Sequence, residues 1–129
     1  MQKHINITRV EILTGRMRVD VTLSEPYCST PQLAQKLVKE YPGIQTHACK
    51  NAEGKTFGCV MDHTSLAHVL EHIIVHLQAT RECDKSVVFA GNTRWINQKE
   101  GRAHIEVSFN DDLVALASLK KAVAFLNEN

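Results

Sequence analysis

The residues best suited to do chemistry are His68, Glu71 and His72, which form the pattern H-x-x-E-H. On a helix, side chains four residues apart lie on the same face, with Cβ atoms about 5–6 Å apart. Two imidazoles at that separation can bind one zinc ion, and Glu71 can take a proton from a metal-bound water without being a ligand. The spacing therefore predicts a zinc-binding pair, His68 and His72, with Glu71 as the catalytic base.

A catalytic zinc site needs a third protein ligand. His76 lies on the same predicted helix, but about 12 Å along the axis from His68, so one ion does not easily bind both. Residues of the preceding loop are better placed, and we predict His47 or Cys49 as a metal ligand, with Cys59 as a further alternative. The choice among these residues stays open at this point.

The predicted helix that carries the two histidines has a clear apolar stripe. At about 100° per residue, the stripe consists of Leu66, Val69, Leu70, Ile73, Ile74 and Leu77. His68 and His72 fall on the opposite side, so they are not expected to lie among the leucines of the core. They either face water or are covered by another segment, and Val75 beside His68 favours a cover.

The elements that must position this helix follow from periodicity and turn residues. Alternating apolar residues predict strands at Ile5–Leu13 and Arg16–Leu23, joined by a Thr14-Gly15 turn. Thr30 and Pro31 open a first helix that ends at Pro42-Gly43. The connection over residues 44–62 is too long for an ordinary structureless loop, which indicates a functional loop or a short strand.

The second helix is predicted over residues 64–80, followed by strands at 86–96 and 103–109 and a final helix that begins near Asp111 and Asp112. Five apolar residues are predicted to form its buried stripe: Leu113, Leu116, Leu119, Val123 and Leu126. The order β-β-α-α-β-β-α predicts an α+β fold, with an antiparallel sheet of about four strands and three helices. No internal boundary is apparent, so residues 1–129 are expected to be a single domain.

Composition narrows the function classes. A chain of 129 residues with 43% hydrophobic and 22% charged residues is an ordinary globular sequence. The formal net charge of +1 gives no reason to expect nucleic-acid or membrane binding. The first residues do not resemble a secretory signal, and the four cysteines contain no C-x-x-C pair, so we expect reduced thiols and a cytoplasmic location. The oligomeric state stays open, and a homo-oligomer is compatible with the sequence.

Three segments carry a resemblance to a known family. They are residues 41–49 (YPGIQTHAC), 68–78 (HVLEHIIVHLQ) and 88–94 (VFAGNTR), followed by a strand and a helix. Their order and intervals resemble the N-terminal domain of cyanophycin synthetase. The pattern H-x-x-E-H is also the signature of the inverted zincins, which include the pitrilysin peptidases.

This resemblance implies a role in handling cyanophycin, a polymer of aspartate with arginine side branches. The synthetase also has an ATP-grasp and a Mur-ligase-like domain; this chain has neither, and it lacks a phosphate-binding loop of the form G-x-x-x-x-G-K-[ST]. In some family members the His-Glu-His helix is a metallopeptidase-like site that trims the polymer. That would make His68 and His72 ligands and Glu71 the general base.

The sequence departs from the family pattern at two positions. His76 stands where the family helix usually has a glutamate, and Asn92 replaces the first arginine of an Arg-Thr-Arg stretch, leaving Arg94. Arg94 is our candidate substrate-binding residue, with a surface ion pair as its alternative. Trp95 is expected to be half-buried in the sheet.

Three hypotheses follow. The first is a zinc-dependent hydrolase acting on a peptide-like substrate, such as an Asp/Arg polymer. The second is a non-catalytic domain that binds the polymer. The third is a structural metal site with four protein ligands, such as His47, Cys49, His68 and His72.

Overall fold

The computed structural model describes residues 4–129, which form one four-stranded sheet, one two-stranded sheet and three helices. The strands are β1 (Ile5–Leu13), β2 (Arg16–Leu23), β3 (Ala48–Asn51), β4 (Gly54–Thr56), β5 (Gly91–Asn97) and β6 (Arg102–Ser108). The helices are α1 (Pro31–Glu40), α2 (Leu66–Arg81) and α3 (Asp112–Glu128). The predicted α+β class and the order of its main elements are confirmed.

The main sheet is antiparallel throughout, in the order β1-β2-β6-β5. Alternation along β2 and β6 sends one set of side chains into the core: Met17, Val19, Val21, Leu23, Ala103, Ile105 and Val107. Helices α2 and α3 contact each other and the sheet. The opposite face of the sheet carries ion pairs such as Arg18–Glu106, whose Nε and Oε1 atoms are 2.7 Å apart. From the strand order, β1 and β5 are the two edge strands of this sheet.

The C-terminal helix and strand β5 differ from the sequence prediction in detail. The buried residues of α3 are Ala115, Ser118, Leu119, Ala122 and Leu126. Leu119 and Leu126 are buried as predicted, and Leu116 and Val123 are partly buried against the core, but Leu113 is 73% exposed. The small residues Ala115, Ser118 and Ala122 complete the buried side of α3. Strand β5 begins at Gly91, five residues later than predicted. No helix among residues 4–129 is long and apolar enough to cross a membrane.

The segment between α1 and α2 covers the helix that carries the histidines. It contains β3 and β4, which pair only with each other, and two short 3-10 turns at Ile44–Thr46 and Phe57–Cys59. Ile44 and Phe57, the first residues of these two turns, are fully buried. The prediction of a short strand or functional loop in this segment is thus confirmed as a small hairpin. Because of this cover, α2 is buried on most of its surface rather than on one stripe.

Candidate metal centre

The first turn of α2 holds His68 in a fixed position. Ser65 is the N-cap residue, and its hydroxyl accepts a hydrogen bond of 3.1 Å from the His68 backbone N–H. The His68 ring contacts Thr64 Oγ1 through Nδ1 at 2.9 Å and Cys49 Sγ through Nε2 at 3.4 Å. Thr64 therefore fixes one ring nitrogen of His68 and leaves the other directed at the thiol of β3.

Three donor groups converge at this point: the Sγ of Cys49 and one ring nitrogen each of His68 and His72 lie within 4.8 Å of one another. Two donors bound to zinc at about 2.1 and 2.3 Å with a tetrahedral angle between them lie about 3.6 Å apart. The 3.4 Å between Cys49 Sγ and His68 Nε2 matches that separation. A thiolate and two imidazoles also form a donor set suited to zinc, so the residues present fit the ion.

His47 lies next to this group without joining it. Its Nδ1 is 3.1 Å from His72 Nδ1, and its Nε2 is 3.1 Å from His76 Nδ1. Two sets of tautomers satisfy both contacts, because the donors can run from His72 through His47 to His76 or in the reverse direction. In the first set, His72 donates from Nδ1 to His47, and His47 donates from Nε2 to His76. In that arrangement the lone pair of His72 is at Nε2, the nitrogen that lies 3.7 Å from Glu71 Oε2. His47 thus orients a ring of the group, and His76 extends the chain of contacts away from it.

Glu71 is nearly inaccessible, with 5% of its surface exposed. Its Oε1 accepts a hydrogen bond of 2.8 Å from the Thr93 hydroxyl, which reaches across from β5. Burial raises the pKa of Glu71 to about 7, while the Thr93 hydrogen bond acts in the opposite direction. A carboxyl group that titrates near neutral pH is suited to accept and return a proton.

Burial also keeps the histidines of this region neutral. Desolvation lowers the pKa of His72 to about 3, with smaller contributions from His68 and His47, and lowers the pKa of His47 to about 4. It lowers the pKa of His68 and of His76 as well. Neutral imidazoles retain the lone pair that a metal requires.

The sequence prediction missed three residues that shape the site. The Phe57 ring stacks on the His72 ring, with centroids 4.1 Å apart and planes 17° apart. Thr93 holds the Glu71 carboxylate, and a Cβ on Gly91 would lie 2.9 Å from Glu71 Cγ, so only glycine leaves room for that side chain. A glycine inside a predicted strand was the one available signal, because it often marks a close approach.

A cleft of about 580 Å³ opens directly over the group. Helix α2 forms its floor with His68, Glu71 and His72, while β3 and β5 form opposite walls. Arg94 lies on the β5 wall, and within residues 4–129 it forms no ion pair, so the surface-ion-pair alternative is not observed there.

Two further predictions concern residues near the cleft. Trp95 is half-buried beside Tyr27 with ring centroids 5.9 Å apart, as predicted. Cys59, one alternative third ligand, is exposed and contacts Thr56 Oγ1 at 3.4 Å; it lies outside the three-donor group.

Comparison with known protein families matches residues 16–128 to the cyanophycin synthase-like N-terminal domain. No curated protein and no solved structure gives a significant match. The matched region begins at β2 and includes every site residue described above. Because the match extends over most of its length, the chain belongs to the family of cyanophycin synthase-like N-terminal domains.

Proposed function

We propose that this chain is a zinc-dependent hydrolase that cuts an amide bond in a peptide-like substrate, with an Asp/Arg polymer of the cyanophycin type as its substrate class. One observation carries the proposal: a three-donor group with a buried carboxylate beside it lies at the floor of an open cleft. Family membership supports the choice of polymer.

In this proposal Cys49, His68 and His72 hold the zinc ion. Thr64 and His47 orient the two imidazoles through the ring nitrogens that do not face the ion. Such outer hydrogen bonds fix the tautomer and the direction of a ligand. When bound, zinc lowers the pKa of a coordinated water to near 7 and polarises the substrate carbonyl.

Glu71 is the proposed general base and later the general acid. Its Oε1 is fixed by Thr93, and its Oε2 lies 3.7 Å from Nε2 of the proposed ligand His72. With a pKa of about 7, the carboxylate can accept the water proton and then donate it to the leaving amine. Arg94, on the cleft wall, is proposed to bind a carboxylate of the substrate.

The position of the group favours a catalytic over a structural metal site. A structural zinc is enclosed by four protein ligands, whereas a catalytic zinc keeps one position for water. His47 was the fourth ligand of the structural hypothesis, but both its ring nitrogens contact other histidines. The cleft leaves space above the three remaining donors for water and substrate.

The test uses purified protein with zinc and a synthetic polymer of aspartate that carries arginine on its side chains. Wild-type protein should bind zinc and release shorter polymer, measured by chromatography. Glu71→Gln should retain zinc but lower the cleavage rate by at least about 100-fold, because only the proton acceptor is lost. Glu128→Gln, an exposed acid on α3, is the matched control and should leave the rate unchanged.

Two results would contradict the proposal. A protein with no affinity for zinc cannot use this mechanism. Cleavage by Glu71→Gln at the wild-type rate would show that Glu71 is not the general base. Polymer binding without cleavage, unchanged by chelator and by His68→Ala with His72→Ala, would instead establish the non-catalytic binding domain.

A further inference from the structure

Strand β5 is an edge strand at the proposed catalytic cleft. It pairs with β6 on one side, and no other strand within residues 4–129 pairs with its other side. The segment from Gly91 to Trp95 lines the cleft along its whole length. An edge strand offers a row of backbone donors and acceptors to any extended chain laid beside it.

The register of β5 shows which backbone groups are free. Ser108 donates its N–H to the Ala90 carbonyl at 2.8 Å, so Ala90 lies opposite Ser108 with its carbonyl directed towards that residue. The Ala90 N–H donates to Ser108 Oγ at 2.9 Å, so this pair also marks a position where the backbone of the two segments is joined. In an antiparallel ladder such pairs alternate, and Asn92 and Arg94 therefore direct their N–H and C=O groups towards β6. The same groups of Thr93 and Trp95 face away from β6, and no hydrogen bond joins them to another part of residues 4–129.

The free edge lies at the right place for the chemistry. Thr93, whose backbone is free, is the residue whose hydroxyl bonds Glu71 Oε1 at 2.8 Å. A chain paired with this edge would lie about 4.8 Å from β5, which is between β5 and the opposite wall. Its backbone would then pass over the carboxylate and the zinc-binding donors.

Each of two walls of the cleft contains one basic residue. Lys50 on β3 and Arg94 on β5 are both exposed, and neither forms an ion pair with any residue from 4 to 129. Arg94 lies opposite His104 of β6, so its side chain projects from the sheet face opposite to that of Thr93. Carboxylates that an added strand carries on that same face would lie beside Arg94. A second copy of β5 is a poorer occupant, because symmetric antiparallel pairing about the middle residue of the strand brings two Arg94 side chains together.

We propose that the free edge of β5 binds the backbone of an extended, carboxylate-bearing peptide as an additional strand, and that Lys50 and Arg94 contact its carboxylates. This mode of binding uses main-chain hydrogen bonds for affinity and side-chain contacts for selectivity. The inference rests on the proposed hydrolase function, since it describes how the substrate reaches the same site.

The test uses the Glu71→Gln variant, with and without added zinc, and an octapeptide of alternating aspartate and threonine, with binding measured by calorimetry. Two further octapeptides carry backbone N-methyl groups, one series on the aspartates and the other on the threonines. In a strand, only alternate N–H groups face a given neighbour. We expect one N-methylated series to bind at least about 10-fold more weakly and the other to bind like the parent peptide.

A second arm tests the charges. Lys50→Glu with Arg94→Glu should weaken binding of the parent peptide by about 3- to 10-fold. Lys55→Glu on β4, which does not line the cleft, is the matched control and should bind normally. Circular dichroism of each variant checks that the fold is retained.

The inference is overturned if the octapeptide does not bind, if both N-methylated series bind equally, or if sedimentation shows a dimer that the peptide does not dissociate. These outcomes are separate from the fate of the proposed function. If the protein cleaves the polymer but its peptide binding is insensitive to N-methylation, the proposed hydrolase function is supported and binding as an added strand is contradicted. If only one N-methylated series binds weakly and the polymer is not cleaved, binding as an added strand is supported and the hydrolase function is contradicted.

Discussion

Histidines occur in two kinds of surroundings in this protein. Around α2, His72 is buried and His68 is half-buried, and their ring nitrogens hydrogen-bond a thiol, a hydroxyl or another histidine. The Glu71 carboxylate lies 3.7 Å from His72 Nε2, beyond hydrogen-bond distance. The rings of two other histidines pair with carboxylates: His63 contacts Asp62 at 2.6 Å and also Glu53, and His104 contacts Asp20 at 2.6 Å.

The two kinds of surroundings affect proton binding in opposite ways. Desolvation lowers the pKa of His68 and His72, whereas hydrogen bonds to Asp62 and Glu53 raise the pKa of His63. A carboxylate partner favours the imidazolium form, which has no lone pair for a metal. The surroundings of a histidine, rather than the number of histidines, therefore indicate which rings are suited to bind a metal ion.

The largest difference between the two groups of histidines should be in their effect on zinc affinity. His68→Ala with His72→Ala should weaken zinc binding by more than about 100-fold, since even the loss of an outer hydrogen-bond partner of a ligand costs about 10- to 100-fold. His63→Ala with His104→Ala removes the same number of imidazoles from the carboxylate-paired group and should leave the affinity unchanged. Competition with a chromophoric chelator measures both, and equal losses in the two double variants would contradict the assignment.

A smaller effect is expected for His47, which contacts His72 without belonging to the three-donor group. His47→Phe should weaken zinc binding by about 10- to 100-fold, because His72 loses the acceptor that fixes its ring. His47→Asn offers an acceptor near the original Nδ1 and should recover part of the affinity. If His47→Phe binds zinc as tightly as wild-type protein, the positioning role is wrong.

The next contrast separates zinc binding from catalysis. Thr93→Val removes the hydrogen bond to Glu71 Oε1 while keeping the shape of the side chain, and it should lower the cleavage rate about tenfold with unchanged zinc content. Thr22→Val, on β2 of the same sheet, is the matched control and should change neither the cleavage rate nor the zinc content. A loss of zinc in Thr93→Val would show that Thr93 stabilises the metal-binding residues rather than positioning the Glu71 carboxylate.

The smallest expected effect is on how the free energy of unfolding of the metal-free protein changes at acidic pH. His47 and His72 have pKa values of about 4 and about 3 when folded, against an ordinary value of 6.5. Below pH 6.5 the unfolded chain binds protons that the folded chain does not, so stability should fall as the pH drops from 6.5 towards 4.

Glu71 opposes this trend, because its pKa of about 7 makes folding less favourable as the pH rises from 4.5 to 7. Thermal melts between pH 4 and 7 in the presence of a chelator should therefore show a steeper acid loss for Glu71→Gln than for wild-type protein. The same slope in both proteins would contradict this account.

The sequence was a good guide wherever local patterns determine structure. Strands β1 and β2 were predicted with the bounds observed, because alternation and a Thr-Gly turn define a hairpin without reference to the rest of the chain. The helix of His68 and His72 was likewise predicted, since apolar periodicity over four turns is a strong signal.

The surroundings of the site could be predicted only in part. Val75 on the far side of α2 indicated a cover, but nothing in the sequence identified Phe57 as the ring that stacks on His72. Cys49 and His47 were both predicted as ligands, and the three-donor group contains only the first. Which of two loop residues points at a helix depends on the turns between them, and those turns are tertiary information.

Strands β3 and β4 pair only with each other, and a two-stranded hairpin is marginally stable by itself. Cys49 on β3 precedes His68 on α2 by 19 residues, so an ion bound by both is a cross-link that closes the intervening loop. Order in the hairpin and occupancy by zinc then become one linked equilibrium. The supply of free zinc would determine how often the β3 wall of the cleft is in place, and thus how often the protein has a cleft at all.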